Sequence, residues 1–312
     1  MKPKKELDLV TAVSPHMHSG WSIQKVMLDV LVALLPAAAT AVYYFGTPAA
    51  SVILVSVITC VVTEYVWQQS RRLPVRINDL SAAVTGLLFA LTLPPATPLW
   101  ITAIGAVIAI LLGKQVFGGL GHNVLNPALA ARAVLHLAWP VEMSTWTKPF
   151  EAVTSATPLV ITKYGVTQPL PTYMDMLLGN HAGSLGETGV LALLAGGLYL
   201  ILRRDIFLSV PITFIATVAV GAMVFNADPI FHVLAGGLML GAFFMATDPV
   251  TSPVSLSGRI LFGLGCGAIT ILIRMHGMFP EGVCYAILIM NLSVPLMNRY
   301  LIPKRFGDMS RI

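Results

Sequence analysis

The chain has 312 residues, of which 56% are hydrophobic and only 11% are charged. Soluble globular proteins carry about 25% charged residues, so this composition excludes an ordinary soluble domain and predicts an integral membrane protein. The net charge of +5 does not indicate nucleic-acid binding, because the cations lie in short loops between apolar segments. No short apolar stretch with a small-residue cleavage site follows the charged first eight residues, and we therefore expect no removable signal peptide.

About ten apolar segments are candidates for membrane spans. A helix needs about 20 apolar residues to cross a bilayer, and fewer where helices are short or broken. Backbone polar groups cannot stay unpaired in lipid, and these runs do not alternate in polarity, so we expect helices rather than strands. The predicted segments are Val26–Phe45, Ala49–Trp67, Leu80–Leu93, Leu99–Leu112, Val124–Trp139, Val190–Leu202, Phe207–Val224, Ile230–Ala246, Ile260–Met275 and Val283–Leu301.

The cations fall mostly on one side of these segments. With both termini in the cytoplasm, the opposite side keeps only Lys148, Lys163 and Arg274, while Arg132 lies within the fifth segment. Cytoplasmic loops carry the excess of Lys and Arg in membrane proteins. The pattern therefore predicts a multi-pass membrane protein with both termini in the cytoplasm and residues 141–189 outside. The cations assigned to the cytoplasmic side are Lys2, Lys4, Lys5, Lys25, Arg71, Arg72, Arg76, Lys114, Arg203, Arg204, Arg259, Arg299, Lys304, Arg305 and Arg311.

A loose internal repeat supports a two-part architecture. Residues 85–98 resemble residues 237–253, and each half continues through a Gly-rich break to an Asn-bearing segment. Five spans in each half is an odd number, so the halves would insert in opposite directions, although chance similarity between Gly- and Leu-rich spans is the alternative. We expect an all-α fold of two inverted five-helix repeats with broken helices. Its predicted parts are an N-terminal segment (1–25), a first repeat (26–140), an outer loop (141–189), a second repeat (190–301) and a tail (302–312).

Polar residues recur at the predicted helix breaks. An ionisable or amide group at membrane depth is costly unless it is paired or lines a cavity. Each residue alone could instead cap a helix end at the water interface. As a set that recurs in both halves, they favour a shared binding site for a polar ring or an ion. The residues are Asn78, Asp79, Asn123, Asn126, Thr247, Asp248 and Glu281.

Metal and nucleotide motifs are missing from the sequence. Cys60, Cys266 and Cys284 are isolated in apolar segments, so we expect small packing residues rather than a zinc site or an iron–sulfur cluster. The histidine pairs His16/His18 and His122/His136 lack metal-binding companions. No P-loop or HExxH motif occurs, and the glycines follow no dinucleotide fingerprint.

The predicted outer loop contains the small, hydroxyl-rich segment Glu151-Ala-Val-Thr-Ser-Ala-Thr-Pro-Leu159. A threonine hydroxyl can accept a phosphoryl linkage when small neighbours let a transferase reach it. Pro158 disfavours helix at the two residues before it. Residue chemistry alone does not choose between Thr154 and Thr157 as the acceptor.

Several motifs in chain order carry a resemblance over nearly the whole sequence. They are Asn78-Asp-Leu-Ser-Ala-Ala-Val-Thr-Gly-Leu-Leu88, Leu91-Thr-Leu-Pro-Pro95, Gly113-Lys114 with Phe117-Gly-Gly-Leu-Gly121, Asn126-Pro-Ala128, Ser155-Ala-Thr-Pro-Leu159, Gly186-Glu-Thr188, Ala246-Thr-Asp-Pro249 and Pro280-Glu-Gly282. The chain resembles the D subunits of the Rnf complex, an ion-translocating ferredoxin:NAD oxidoreductase. The related B subunits of the sodium-pumping NADH:quinone reductase usually carry a longer N-terminal extension, so the Rnf type is favoured.

The resemblance implies a flavoprotein. The family's attachment motif usually reads Asp-x-x-Ser-Gly-Ala-Thr, and its last Thr bears FMN through a phosphoester. Here Glu151, Thr154 and Ser155 stand for its Asp, Ser and Gly, and the acceptor maps to Thr157. The family also suggests a second, non-covalent flavin among the broken helices, with riboflavin as the candidate. Asn126, Thr247, Asp248 and Glu281 are the residues we predict in that neighbourhood.

The resemblance implies that the chain is an enzyme only as a subunit of a translocase. Its expected partners are the other membrane and peripheral subunits of one redox complex, including a second flavin-bearing subunit, together with a flavin transferase and the lipid bilayer. Electron carriage would be coupled to Na⁺ or H⁺ transport across a prokaryotic cytoplasmic (inner) membrane. Two alternatives remain open: a redox-silent channel or secondary transporter for a small polar solute, and a membrane scaffold without a cofactor. Thr157 separates both from the redox function, since neither needs a flavin acceptor.

Overall fold

The computed structural model describes residues 22–151, 153–277, 279 and 281–301. Most of the predicted N-terminal segment, the tail, and the motif residues Ala152 and Pro280 lie outside the described residues. In the described part the chain is helical, and an isolated bridge between Thr147 and Thr154 is its β pairing. The helices are α1 (Ile23–Phe45), α2 (Thr47–Ser70), α3 (Ser81–Leu91), α4 (Leu99–Ile110), α5 (Pro127–Ala138), α6 (Pro140–Met143), α7 (Pro158–Tyr164), α8 (Tyr173–Leu178), α9 (Val190–Arg203), α10 (Ser209–Val224), α11 (Pro229–Leu234), α12 (Leu238–Leu240), α13 (Leu256–His276) and α14 (Val283–Tyr300).

Three of the described helices are long and apolar enough to cross a membrane: α1, α2 and α13. Large apolar side chains such as Leu54, Ile58 and Val62 are exposed along one face of α2. A soluble protein would bury such a face, whereas lipid solvates it. The prediction of an all-α membrane protein is confirmed. Shorter apolar helices occupy five of the other predicted segments, and they include α3, α4, α5, α9 and α10.

Two of the predicted segments are interrupted or shifted. The segment Ile230–Ala246 is not one helix, because α11 ends at Leu234 and α12 begins only after Gly236 and Gly237. Both glycines have positive φ, 70° and 64°, a conformation that side-chain-bearing residues rarely adopt. The predicted start at Val124 is also wrong, since α5 begins at Pro127 after Asn126 caps it.

Two five-residue π-turns extend neighbouring helices. Leu111–Gln115 follows α4, and Gly241–Met245 follows α12. Such turns occur frequently at functional sites. The first one buries Lys114, which is 2% exposed, so the assignment of this lysine to a cytoplasmic loop is corrected: it lies inside the protein.

The helix packing relies on small residues. α1 packs on α9, where a Cβ atom added at Gly196 would overlap the Ala33 carbonyl oxygen. α10 packs on α13 in the same manner, and a Cβ atom added at Gly267 would lie 2.9 Å from the Phe214 carbonyl oxygen. Small residues allow helix backbones to approach closely in membranes. The α1–α9 contact joins the first half of the chain to the second.

The long loop, residues 141–189, is structured by its own short helices and by hydrogen bonds. Ser155 N donates to the Trp146 carbonyl at 2.9 Å. A capping box between Thr172 and Asp175 starts α8. The Tyr44 hydroxyl donates to the Leu178 carbonyl at 2.8 Å and fixes the loop to the end of α1. These bonds hold the described part of the long loop in one arrangement around Thr157.

Candidate functional site: a threonine segment, an interhelical cleft and a charge cluster

Thr157 lies at the start of α7 as its N-cap. Its Oγ1 accepts a hydrogen bond from Val160 N at 3.3 Å, and the residue is 2% exposed. Pro158 follows at the first helical position, where its fixed φ suits the helix. The pair Thr157-Pro158 therefore also has a structural role, because it starts α7. In this arrangement the hydroxyl is enclosed by protein and is not open to reaction from solvent.

A surface cavity of about 410 Å³ adjoins this segment. Ser155, Ala156 and Pro158 line it on one side, with Lys148 and His181 among the residues opposite. Small-molecule pockets usually measure about 300–1,000 Å³, so the cavity is large enough for a flavin ring. We refer to it as the loop cavity.

His181 supplies an orphaned polar atom at the loop cavity. The residue is 5% exposed, its Nδ1 lies 3.1 Å from the Ala182 carbonyl, and its Nε2 is buried without a partner. Burial lowers the pKa of the imidazole, which is therefore neutral at pH 7. With Nδ1–H bonded to that carbonyl, Nε2 is an acceptor, but it is enclosed by protein, so a ligand in the cavity would reach it only after the side chain moves. The volume admits a flavin ring, and the charged residues on the cavity lining are Lys148, Glu151 and Asp175.

The second group of predicted residues lies at a cleft between helices from both halves of the chain. Asn126, Thr247 and Asp248 all line it, together with Asp205 and Lys114. The space between atoms there totals about 770 Å³, but only about 70 Å³ is open to a water-sized sphere. A three-ring flavin needs far more open volume than that. The cleft must widen before it can admit such a ring.

Asn126 connects the two halves at the cleft. Its Oδ1 accepts from Ala128 N at 3.1 Å, and its Nδ2 donates to the Met245 carbonyl at 3.3 Å. The Asn291 amide is oriented so that its oxygen accepts from Asn126 N at 3.1 Å. The Asn-bearing segments that the repeat singled out therefore meet. Asn126 caps α5 and also lies at the predicted shared site. The sequence had left these two roles as alternatives.

Thr247 and Asp248 are satisfied mainly by local bonds. Thr247 Oγ1 donates to the Phe243 carbonyl at 2.6 Å, and Asp248 Oδ2 accepts from Thr251 Oγ1 at 2.9 Å. Asp205 differs, because both of its carboxylate oxygens are buried without a hydrogen-bond partner. Asp205 was not predicted from the sequence, although its position directly after two arginines marked it as an acid beside a span end.

Glu281 lies away from this cleft, in a separate cluster. It forms an ion pair with Arg132, whose guanidinium also donates to the Thr92 carbonyl at the end of α3. Glu187 and Arg274 lie close by, and we call Arg132, Glu187, Arg274 and Glu281 the charge cluster. Burial and the nearby Glu187 carboxylate raise the pKa of Glu281 to about 7, and burial also raises the pKa of Glu187.

Arg274 holds the broken helix in place. Its guanidinium donates to the His232 carbonyl, to the Ala235 carbonyl at 2.7 Å and to the Gly236 carbonyl at 3.3 Å. It thereby satisfies the backbone groups that the end of α11 leaves unpaired. The charge pattern alone assigned Arg274 to the outer side and gave no indication of this contact. Its position inside an apolar segment was the available signal.

The described residues contain no group of three or more His, Cys, Asp or Glu side chains arranged to hold a metal ion. His122 and His136 fall within this part of the chain, whereas His16 and His18 lie outside it. The three cysteines are buried and free. The fold and these sites together define a class: an all-helical membrane protein with an ordered loop cavity and an interhelical polar cleft.

The comparisons with known proteins assign the chain within that class. Residues 10–307 match the model of the NQR2, RnfD, RnfE family, and the chain belongs to this family. It is 45% identical to the D subunit of the proton-translocating ferredoxin:NAD(+) oxidoreductase complex of Clostridium ljungdahlii, over 97% of each chain. It is 46% identical to the D subunit of the Na(+)-translocating ferredoxin:NAD(+) oxidoreductase complex of Acetobacterium woodii, over 97% of this chain and 96% of that protein. The D subunit of the ion-translocating oxidoreductase complex of Halorhodospira halophila is 38% identical over 94% of both chains.

Proposed function

We propose that this chain is the D-type membrane subunit of an ion-translocating ferredoxin:NAD oxidoreductase complex, and that it carries FMN on Thr157 and relays electrons. The observation that carries the proposal is the near full-length similarity to relatives with that name, together with an acceptor segment that borders a cavity of flavin size. The subunit works within a redox complex and has no catalytic activity alone.

The architecture that we propose has about ten membrane helices in two inverted five-helix repeats, some of them broken. Contacts between the halves support it, such as the Asn126–Asn291 bond and the ion pair of Asp29 with Arg203 at 2.9 Å. Both termini lie in the cytoplasm, and the long loop lies outside the cytoplasmic membrane. This orientation follows the excess of cations on the other side of the predicted spans.

FMN would be tethered by a phosphoester to Thr157 Oγ1 and would supply one-electron and two-electron redox chemistry. The protein's own contribution is position and environment. Thr157 would fix the phosphate end beside the loop cavity, which its neighbours Ser155, Ala156 and Pro158 line. The neutral His181 would turn its unpartnered Nε2 toward the polar edge of the ring. Lys148, which also lines the cavity, is suited to the negative charge of the phosphate group.

A second flavin, riboflavin, is proposed for the interhelical cleft near Asn126, Thr247 and Asp248. These amide, hydroxyl and carboxyl groups match the polar edge of an isoalloxazine ring and a ribityl chain. The Phe243 and Phe244 side chains on the same cleft supply apolar surface for the ring face. Binding requires the cleft to widen, which motion of the neighbouring π-turn can provide. The remaining predicted residue, the glutamate at position 281, is assigned to the separate charge cluster.

The partners that we propose are the other membrane and peripheral subunits of the complex, including one that bears a second covalent flavin. A flavin transferase is needed for maturation. Since Thr157 is 2% exposed, the transferase acts on an opened long loop, before or during assembly. The relatives' names include both a proton-translocating and a Na(+)-translocating complex at nearly equal identity. The coupling ion is therefore H⁺ or Na⁺.

Peptide mass spectrometry of the chain, coexpressed with its own flavin transferase, tests the proposal. We expect an FMN adduct on the peptide that contains Thr157, and we expect Thr157→Ala to abolish it because alanine offers no hydroxyl. Thr154→Ala is the matched control, since it removes the other nearby threonine hydroxyl and should keep the adduct. An unmodified wild-type peptide, in a host that flavinylates a relative, would contradict the proposed function.

A further inference from the structure

Glu187 occupies a turn that is docked tightly against the end of α3. Leu185 N donates to the Leu93 carbonyl at 3.1 Å, and Gly186 N donates to the Leu91 carbonyl at 2.7 Å. These bonds hold the turn 184–189 at the point where α3 ends. Glu187 itself is 5% exposed and lines an internal cavity. Its position is therefore set by backbone bonds and does not depend on its own charge.

The charges of Arg132 and Arg274 attract the carboxylate of Glu187, but its burial outweighs this attraction and its pKa is raised. Oε1 accepts one hydrogen bond, from Ser184 Oγ at 2.9 Å. Three ion pairs occur among the described residues, Lys114–Glu64, Arg132–Glu281 and Arg203–Asp29, and none of them includes Glu187. An ionised carboxylate costs many kcal/mol to bury without a partner. A buried carboxyl with one direct hydrogen bond and no ion pair is a place where a proton or a small cation can be held.

The nearby arginines are already engaged. Arg132 bonds the Thr92 carbonyl and Glu281, and Arg274 bonds three carbonyls of the broken helix. Their charges are permanent, so the carboxyls of Glu187 and Glu281 are the groups that change protonation. Cys284 lines the same cavity, and its buried thiol is neutral.

The cavity that these groups share is small. It has about 30 Å³ of open volume and is lined by Thr92, Arg132, Ser184, Glu187, Gly236, Gly237 and Glu281, among others. About one water molecule fits such a space. A water molecule that carries an extra proton, or a Na⁺ ion that has lost part of its hydration shell, fits the same space. An organic solute is too large for it.

We propose that Glu187 binds one exchangeable monovalent cation, a proton or Na⁺, within the charge cluster, and that this site is a station of the ion that the complex translocates. The proposal rests on the proposed function. Because Arg132 and Arg274 tie the cluster to the ends of α3 and α11, the charge on Glu187 is coupled to the break between α11 and α12. A change in cation occupancy would therefore shift the helix positions on both sides of the cavity.

The test uses the whole complex in proteoliposomes, driven by reduced ferredoxin and NAD⁺. Glu187→Gln keeps the size of the side chain and its bond to Ser184 but removes the ionisable group. We expect the number of ions moved per NADH to fall at least about tenfold, while the FMN adduct on Thr157 remains. Glu187→Asp should restore part of the ion movement. Glu142→Gln, which changes a carboxyl in α6 of the long loop, is the matched control and should leave the ratio unchanged.

The identity of the cation follows from the wild-type assay. Uptake of radioactive Na⁺ that persists with a protonophore indicates Na⁺, whereas Na⁺-independent acidification that the protonophore abolishes indicates H⁺. A wild-type ion-to-NADH ratio in Glu187→Gln would overturn the inference. A missing FMN adduct on wild-type Thr157 would instead contradict the proposed function and leave the ion ratio to be judged separately.

If the Glu187→Gln variant fails to assemble, a second measurement tests the proposal on the wild-type complex. Dicyclohexylcarbodiimide modifies protonated carboxyls in apolar surroundings. In the assembled wild-type complex we expect modification of the Glu187 peptide, and we expect protection by Na⁺ or by rising pH according to the cation. If the Glu187 peptide stays unmodified across the pH range while another buried carboxyl of the chain reacts, the proposal is wrong.

Discussion

Lys114 and Glu64 form the most deeply buried ion pair among the described residues. Lys114 Nζ lies 2.8 Å from both Glu64 oxygens, and both side chains are 2% exposed. Ser81, Gln68 and Gln115 complete the hydrogen bonding. A buried pair is stable only when such additional bonds satisfy the remaining groups. The pair also fixes the π-turn after α4 against α2 and α3.

We expect Lys114→Met to destabilise the protein by about 3–5 kcal/mol, because Glu64 would be left buried without its counter-charge. Glu64→Gln combined with Lys114→Met should recover most of this loss, since no charge then remains. Thermal unfolding of the detergent-solubilised chain, followed by tryptophan fluorescence, measures both effects. Arg72→Met is the control for loss of an exposed cation. A double variant no more stable than Lys114→Met would contradict the explanation.

Residue pairs of this kind could not be predicted from the sequence. Lys114 was predicted to be a loop cation because it follows an apolar segment, and its partner lies 50 positions earlier. Arg132 and Glu281 are 149 positions apart. No spacing rule connects residues at such separations. Individually, however, an ionisable residue inside an apolar segment already indicates a buried partner or a functional site.

At the scale of elements, local signals were more informative than segment averages. Asn126-Pro127 is a cap followed by a first-turn proline, and it marks the true start of α5 better than the hydropathy limit at Val124. The adjacent glycines Gly236 and Gly237 likewise mark the break before α12. The π-turns have no such shared signal, because Gly241–Met245 is an apolar run whereas Leu111–Gln115 contains a lysine and a glutamine. They arise from packing that the linear pattern does not contain.

The contact between α1 and α9 gives a sharp prediction. Gly→Ala within a helix usually stabilises by about 1 kcal/mol. At Gly196 we expect the opposite, a loss of about 1–3 kcal/mol, because the new Cβ would overlap the Ala33 carbonyl oxygen. The thermal midpoint of the solubilised chain measures the change. Ala195→Val, on the exposed face of the same helix, should change the midpoint little; a midpoint raised by Gly196→Ala would show that the helices are not in this contact.

At the scale of the whole molecule, the membrane class, the helical content and the family were predictable from the sequence. Three of the residues predicted for a shared site, Asn126, Thr247 and Asp248, do line one cleft, while their role and that of Thr157 stay predictions. Glu281 was not separated from that cleft, because position at a helix break does not say which cavity the side chain enters. Composition and periodicity report the environment of a segment, whereas the cavities depend on how distant segments pack.

The orientation of the molecule in the membrane is the remaining large-scale prediction. The excess of cations places the Ser70 end of α2 in the cytoplasm and the long loop outside. The native cysteines are 0%, 0% and 7% exposed, so they should not react with an impermeant maleimide. The single substitutions Ser70→Cys and Ser144→Cys, both at exposed positions, therefore report the two sides of the membrane, because the native cysteines contribute no label.

In intact spheroplasts we expect Ser144→Cys to be labelled and Ser70→Cys to be labelled only after permeabilisation. The unsubstituted chain, treated identically, is the control. This orientation decides where an FMN on Thr157 can meet its redox partner, since a tethered flavin exchanges electrons only within a short distance of its attachment point. Labelling of Ser70→Cys alone before permeabilisation would place Thr157 in the cytoplasm. The electron path would then have to begin and end on the same side of the membrane as ferredoxin and NAD.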